Sequence, residues 1–364
     1  MLIYILYFIL LAVLATEYEL HPFKQWPALV FIILILALMA GLRGQYVSKD
    51  LDTYKYSFDA VYIYLEEIKQ GNIFTFFEPG FIIAVAAIRS FSEFNYGIYI
   101  LLCFAFGSII LKTYAINKFS FNPFLALLFY FSHYFALQEM TQIRIGFASA
   151  LFFVALIQYF KKNFLVFFLL IAVATTFHYS AFLYVTVLLF NSKNLNKYLY
   201  AGLLAVALLF AVVKVPFFDV INQINPDLLA GKLKGYDYVQ RHSINMKINI
   251  FNALYIANFI CIIFVIFLIP VAKLKEDGKL IFFTKCSILS VFLLSVFSGV
   301  PLIAFRISEL FGILSLFMFA GVVKYLPFGK LNIAVLLIIA GVFFYINYFH
   351  NQLLAPYHLV HFRM

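Results

Sequence analysis

The chain has 364 residues, 65% of them hydrophobic and only 12% charged, with a formal net charge of +10 and a mean hydropathy of +1.00. Apolar runs of membrane-spanning length recur to the C-terminus, which excludes a globular protein with one large core and predicts an all-α polytopic membrane protein. In that setting the positive excess points to anionic lipid head groups or a phosphorylated lipid substrate, and not to nucleic acid.

Leu2 to Ala15 has the length of a signal-peptide core but no basic flank, and a second apolar run follows from Ala28 to Ala40. It therefore reads as the first transmembrane helix. Further apolar segments fall at about 96–114, 122–138, 143–160, 164–178, 180–192, 198–214, 248–270, 281–299, 304–323 and 331–348, giving roughly twelve spans. The segment 79–93, about 15 residues long and ending in Arg89 and Glu93, suits a re-entrant or interfacial helix better than a full span, which would by parity move the Gly41 to Glu78 stretch inside. The two short runs on either side of His178 read as a hairpin meeting at a polar turn, the alternative being one span broken between Thr175 and Ser180. The whole chain, 1–364, reads as one integral membrane domain with longer outer loops at about 41–78 and 214–247, without the paired halves of many transporters.

With this topology the short-loop lysines share one side: Lys112 and Lys118, Lys161 and Lys162, Lys193 and Lys197, Lys273, Lys275 and Lys279, Lys324 and Lys330. The positive-inside rule makes that side cytoplasmic. Every arginine, namely Arg43, Arg89, Arg144, Arg241, Arg306 and Arg363, then falls outside. Orientation alone does not need this segregation, whereas a planar guanidinium grips phosphate bidentately. Cys103, Cys261 and Cys286 lack disulfide or zinc-like spacing, and no metal or cofactor is assigned.

The stretch from Gly41 to Glu78 concentrates charge that is withheld elsewhere and reads as the floor of an active site. Within it Arg43 precedes Asp50, Asp52 and Tyr54. An Asp-x-Asp pair is a weak cation signal without further oxygen ligands, and its other roles are a base for a sugar hydroxyl or the cap of an interfacial helix near Thr53. Glu78, before Pro79-Gly80, reads as a base or as a cap for the segment that follows. Gln138, Glu139, Gln142 and Arg144 mark the junction of two apolar segments, where Arg144 needs an anion, from substrate or from a carboxylate such as Glu139 or Glu309. His178 reads as a base, a diphosphate ligand or a structural histidine. Arg306 and Glu309 stand three residues apart at the start of another apolar segment. Several cations beside carboxylates suit a phosphate leaving group, whose developing charge the arginines would stabilise while one base activates an acceptor hydroxyl.

At these residues the chain resembles the EpsG-like family of bacterial polysaccharide polymerases, a branch of the Wzy-type enzymes. Arg43 and VSKDLDTY echo the family's arginine followed by V-G-x-D-x3-Y, with Ser48 in place of glycine; EPGF at Glu78 to Phe81, FHYSAFL around His178 and the late FR at Arg306 match too. Ile143-Arg144-Ile145-Gly146-Phe147-Ala148 answers to I-R-Q-x2-A without its glutamine, for which Gln142 is a substitute from two residues earlier.

The resemblance implies a GT-C-like glycosyltransferase in the bacterial plasma membrane, joining undecaprenyl-diphosphate-linked oligosaccharides into O-antigen, capsule or exopolysaccharide at the outer leaflet. Asp50, Glu78 or His178 would be the base, and Arg43, Asp52, Tyr54, Gln142, Arg144, Arg241, Arg306 and Glu309 would hold substrate. A chain-length regulator and a flippase are implied partners. The rival readings are a ligase, a flippase and a structural scaffold; the apolar middles of the helices argue against transport.

Overall fold

A computed structural model describes residues 1–71, 77–92, 94–213 and 251–360, in two units: 1–186 with 327–360, and 187–326. The predicted site residue Arg241 lies outside the described residues, as do Phe74, Phe76, Glu93 and Arg363. The described residues are overwhelmingly helical, and the protein is a membrane protein with five helices long and apolar enough to cross, or six if one bent pair counts as a span. Six further apolar helices of 10–17 residues fall short of that test. The sequence expectation of about twelve spans is met only in part, because several apolar runs are broken by Pro, Gly or polar turns before reaching about 20 residues.

In the first unit α1 (Leu2–Leu20) and α2 (Trp26–Gly41) are followed by two short helices, α3 (Leu51–Asp59) and α4 (Val61–Lys69). Then come α5 (Pro79–Arg89) and the long α6 (Tyr96–Phe119). At 11 residues α5 is about 16 Å long, half a bilayer core. Arg89 at its end donates to the carbonyls of Phe58 and Asp59 (2.7 and 2.8 Å) and lies over the Tyr62 and Tyr96 rings, which ties α5 to the end of α3.

The run predicted at 122–138 is α7 (Pro123–Phe129) continued as a ten-residue π-helix, Tyr130–Glu139. Its i+5 bonding carries on into Met140 N–H to Phe135 O (3.2 Å) and Gln142 N–H to Leu137 O (2.8 Å). Two antiparallel neighbours follow, α8 (Ile143–Phe160) and α9 (Phe164–Phe177), then a 3-10 helix, Tyr179–Leu189. The chain doubles back at His178: Phe177 meets Phe147 near the start of α8, whereas Tyr184 stacks on Phe152 half-way along it (centroids 3.8 Å apart). These contacts agree with the hairpin reading.

The C-terminal helix α16 (Asn332–Tyr345) and its π-helical extension Ile346–His350 return to this unit. The tail then forms a strap against the first loop, through antiparallel bridges Arg43 to Leu359 and Ser48 to Leu354. Gly44 N–H donates to His358 O (2.8 Å) and Ala355 N–H to Val47 O (2.9 Å).

The second unit holds α10 (Lys197–Val213), α11 (Ala253–Ile263), the surface turn α12 (Val271–Glu276) and α13 (Gly278–Val296). It ends with α14 (Pro301–Gly312) and α15 (Ser315–Val322), the pair bent by 46°.

Candidate active site

The aromatic floor comes first. Phe81 on α5 packs against Phe104 on α6, which meets Phe147 on α8 and Phe177 at the end of α9, with centroids 5.4–6.1 Å apart. Four helices are thereby held at one level. Pro79 opens α5 with its φ already helical, and Gly80 is required because a Cβ there would run into the side chain and backbone of Thr176. That close approach of α5 to α9 brings Glu78 beside His178.

Three chemistry-bearing side chains from three elements meet on this floor. Glu78 precedes α5 but makes no capping hydrogen bond; its Oε2 accepts from Arg144 Nη1, and His178 Nδ1 lies 3.3 Å from its Oε1. The carboxylate is 4% exposed, Arg144 22% and His178 25%, so two groups open to solvent flank a buried anion. Burial raises the Glu78 pKa, but His178 and the Arg144 guanidinium pull it the other way, down to about 2 overall. It is a carboxylate at any physiological pH. Arg144 sits in the first turn of α8, where the helix dipole disfavours a cation, and Glu78 offsets that cost. The expected structural partners of Arg144, Glu139 or Glu309, are replaced by Glu78.

Tyr54 and Phe77, both buried, bracket the arginine: the Arg144 guanidinium carbon is 5.9 Å from the Tyr54 ring centre and 4.8 Å from that of Phe77. Burial raises the Tyr54 phenol pKa against the opposing pull of Arg144, so the hydroxyl stays neutral and able to donate. Phe77 thus packs under the arginine. Tyr46 and Tyr56 face outward.

Arg43 is 1% exposed beneath the C-terminal strap and donates to the Ala40 carbonyl. Its Nε and Nη2 have no hydrogen-bond partner, and Tyr54, Glu139, Tyr357 and Tyr4 lie within electrostatic reach. Burial lowers its pKa to about 10 against those four, so it is still a cation at neutral pH. Asp50 is the half-buried N-cap residue of α3 with no capping bond of its own, and Asp52, exposed, accepts from Gln45 Nε2 (3.2 Å). The predicted helix start near Thr53 falls two residues earlier, at Leu51. Gln142 is the half-buried N-cap of α8 and uses its backbone to bridge Leu137 and Gly146. Arg306 and Glu309 occupy one turn of α14 in the second unit, within electrostatic reach of each other. Among the described residues no three His, Cys, Asp or Glu side chains gather as metal ligands.

Beneath the site lies a group that the sequence reading assigned elsewhere. Lys112, expected in a cytoplasmic turn, is fully buried inside α6 and paired with Glu139. Tyr130 (2.7 Å) and Ser108 (2.9 Å) donate to the same carboxylate oxygen, and Lys112 also donates to Gln138 Oε1 (2.9 Å), which Ser149 reaches at 2.8 Å. The expectation fails because α6 runs on to Phe119, so Lys112 faces the π-helix and not a loop. The signal that could have found the network is the i, i+4 pair Ser108 and Lys112, one stripe on an otherwise apolar helix.

The family model described as the EpsG family matches residues 27–359. The chain belongs to the EpsG family. That family is Wzy-type polymerase-like, and the match spans every element just described except α1 and the end of the tail. No curated protein and no solved structure matches.

Proposed function

We propose that this EpsG-family protein is a membrane glycosyltransferase that transfers a growing glycan from undecaprenyl diphosphate to a hydroxyl of a lipid-linked repeat unit at the outer leaflet. The observation that carries the reading is the meeting of Glu78, Arg144 and His178 from three separate elements. A diphosphate is already a good leaving group, so the transfer needs charge stabilisation more than proton donation.

In this reading the three side chains take separate roles. Held in its charged form by His178 and Arg144, Glu78 is the poorer base of the pair. Its Oε1, 3.3 Å from His178 Nδ1, would orient the ring by charge and not by an aligned hydrogen bond, leaving Nε2 to accept the acceptor hydroxyl's proton. Arg144, partly exposed and with a buried Nε that no protein group satisfies, offers remaining N–H groups to the leaving diphosphate. In this reading Tyr54 and Gln142 line the same pocket, Asp50 and Asp52 lie at its rim, and Arg241, Arg306 and Glu309 are further candidate contacts for the long lipid-linked substrate, whereas Arg43, sealed beneath the strap, supports the first loop from within. The short apolar helices complete roughly twelve crossings in a GT-C-like arrangement, with the site on the outer side. A chain-length regulator and a flippase are the proposed partners. Transport is disfavoured because the polar groups around Lys112 are, among the described residues, buried against one another.

The test is polymerisation by purified protein given a lipid-diphosphate-linked repeat unit, with and without EDTA. A ladder insensitive to EDTA is expected, lost in His178→Ala and reduced at least 100-fold in Arg144→Lys. Abolition by EDTA with rescue by a divalent cation would make Asp50 and Asp52 ligands. Normal ladders from both variants, or no ladder from folded wild-type protein with cognate substrate, would sink the proposal.

A further inference from the structure

In the second unit three loops meet at the start of α13, and all three carry lysine. The loop 191–197 is seated by the buried Lys285, whose ammonium donates to the carbonyl and side-chain oxygens of Asn191 (2.7 and 3.2 Å). It presses so closely on Gly278 that a Cβ there would lie 2.7 Å from Ser192 O. The loop at 324–325 is tied to the same point: Lys324 Nζ lies 3.5 Å and Tyr325 Oη 3.4 Å from Asp277 Oδ2, whose other oxygen caps Leu280. Lys279 is within electrostatic reach of both Asp277 and Lys324, so two ammonium groups gather around one carboxylate already committed to the fold. Lys193, Lys197, Lys273 and Lys275 stand exposed on the adjoining loops, with Glu276 as the other acid of this face.

The apolar surroundings narrow the ligand. Val271, Leu189, Tyr198 and Leu199 are each more than half exposed beside these lysines, so the basic face borders a greasy one. An occupant that satisfies both must carry a phosphate and acyl chains together. We propose that this face is a binding site for an anionic phospholipid, its head-group phosphate held between Lys279 and Lys324 and its chains laid along the exposed apolar residues. The site is independent of the glycosyl-transfer reading and gives the lysine loops a ligand of their own.

The experiment uses delipidated full-length protein and native mass spectrometry with phosphatidylglycerol or phosphatidylcholine of identical acyl chains. Phosphatidylglycerol is expected to bind at least tenfold better. At about fivefold per lysine, Lys279→Gln with Lys324→Gln should lower that binding about 25-fold, whereas Lys161→Gln with Lys162→Gln should leave it unchanged. An Arg pair at 279 and 324 should restore it, a control that also separates loss of charge from misfolding. Equal binding of the two lipids, a Gln pair that binds phosphatidylglycerol like wild type, or glycerol 3-phosphate binding as tightly as the lipid would each overturn the proposal.

Discussion

Glu78 is the residue whose ionisation the site depends on. Its carboxyl is shifted down from 4.5 to about 2, so its contribution to stability is complete above about pH 4.5 and is lost as pH falls towards 2. The shift corresponds to about 3 kcal/mol. Wild-type protein in detergent should therefore lose melting temperature steeply between pH 4.5 and 2, and Glu78→Gln should be less stable at neutral pH but flatter across that window. Thermal unfolding followed by circular dichroism checks both. At this scale the sequence was informative about identity and silent about pairing. Glu78, Arg144 and His178 were each legible as polar residues at the ends of apolar runs, where water alone does not account for them. Who answers whom was not, because Glu78 and Arg144 are 66 residues apart and the helix packing that joins them turns on Gly80 fitting under Thr176.

Among the elements, the junction of the π-helix and α8 is the part that aims Arg144. Ser108 donates to Gly146 O (3.1 Å) as well as to Glu139, so α6 holds both arms of the junction. Removing one partner of a buried ion pair leaves the other charged in an apolar interior, at a cost of about 3–5 kcal/mol. Lys112→Met should show that loss in chemical unfolding, and Lys112→Met combined with Glu139→Met should recover most of it. Non-additivity of at least 2 kcal/mol in the double-mutant cycle is the expected readout. The strap is a second such element. Ala355→Pro removes the donor to Val47 O and should cost about 1–3 kcal/mol locally, seen as faster hydrogen exchange at Gly44 and Val360. Neither element was legible in the sequence: a π-helix has the same apolar composition as an α-helix, and LLAPYHLV pairs with a loop more than 300 residues earlier.

For the molecule as a whole, composition told the class and the apolar runs told most helix positions, but among the described residues only five helices, or six with the bent pair, reach spanning length. Hydropathy alone does not tell such a helix from a short 3-10 arm such as Tyr179–Leu189. Orientation rests on the lysine and arginine pattern and is directly testable. In a background without its three cysteines, Phe91→Cys, 89% exposed in its loop, should react with an impermeant maleimide added outside intact cells. Lys162→Cys should react only after permeabilisation.

The strap has a consequence for synthesis. Arg43 leaves the ribosome more than 300 residues before Leu359, whose backbone covers it. At 5–20 residues per second the interval is about 15–60 s, during which a buried-to-be guanidinium waits at the membrane surface without its cover. The loop at residue 43 is thus completed only once residues 354–359 have been made, and a stop before them would be felt at residue 43.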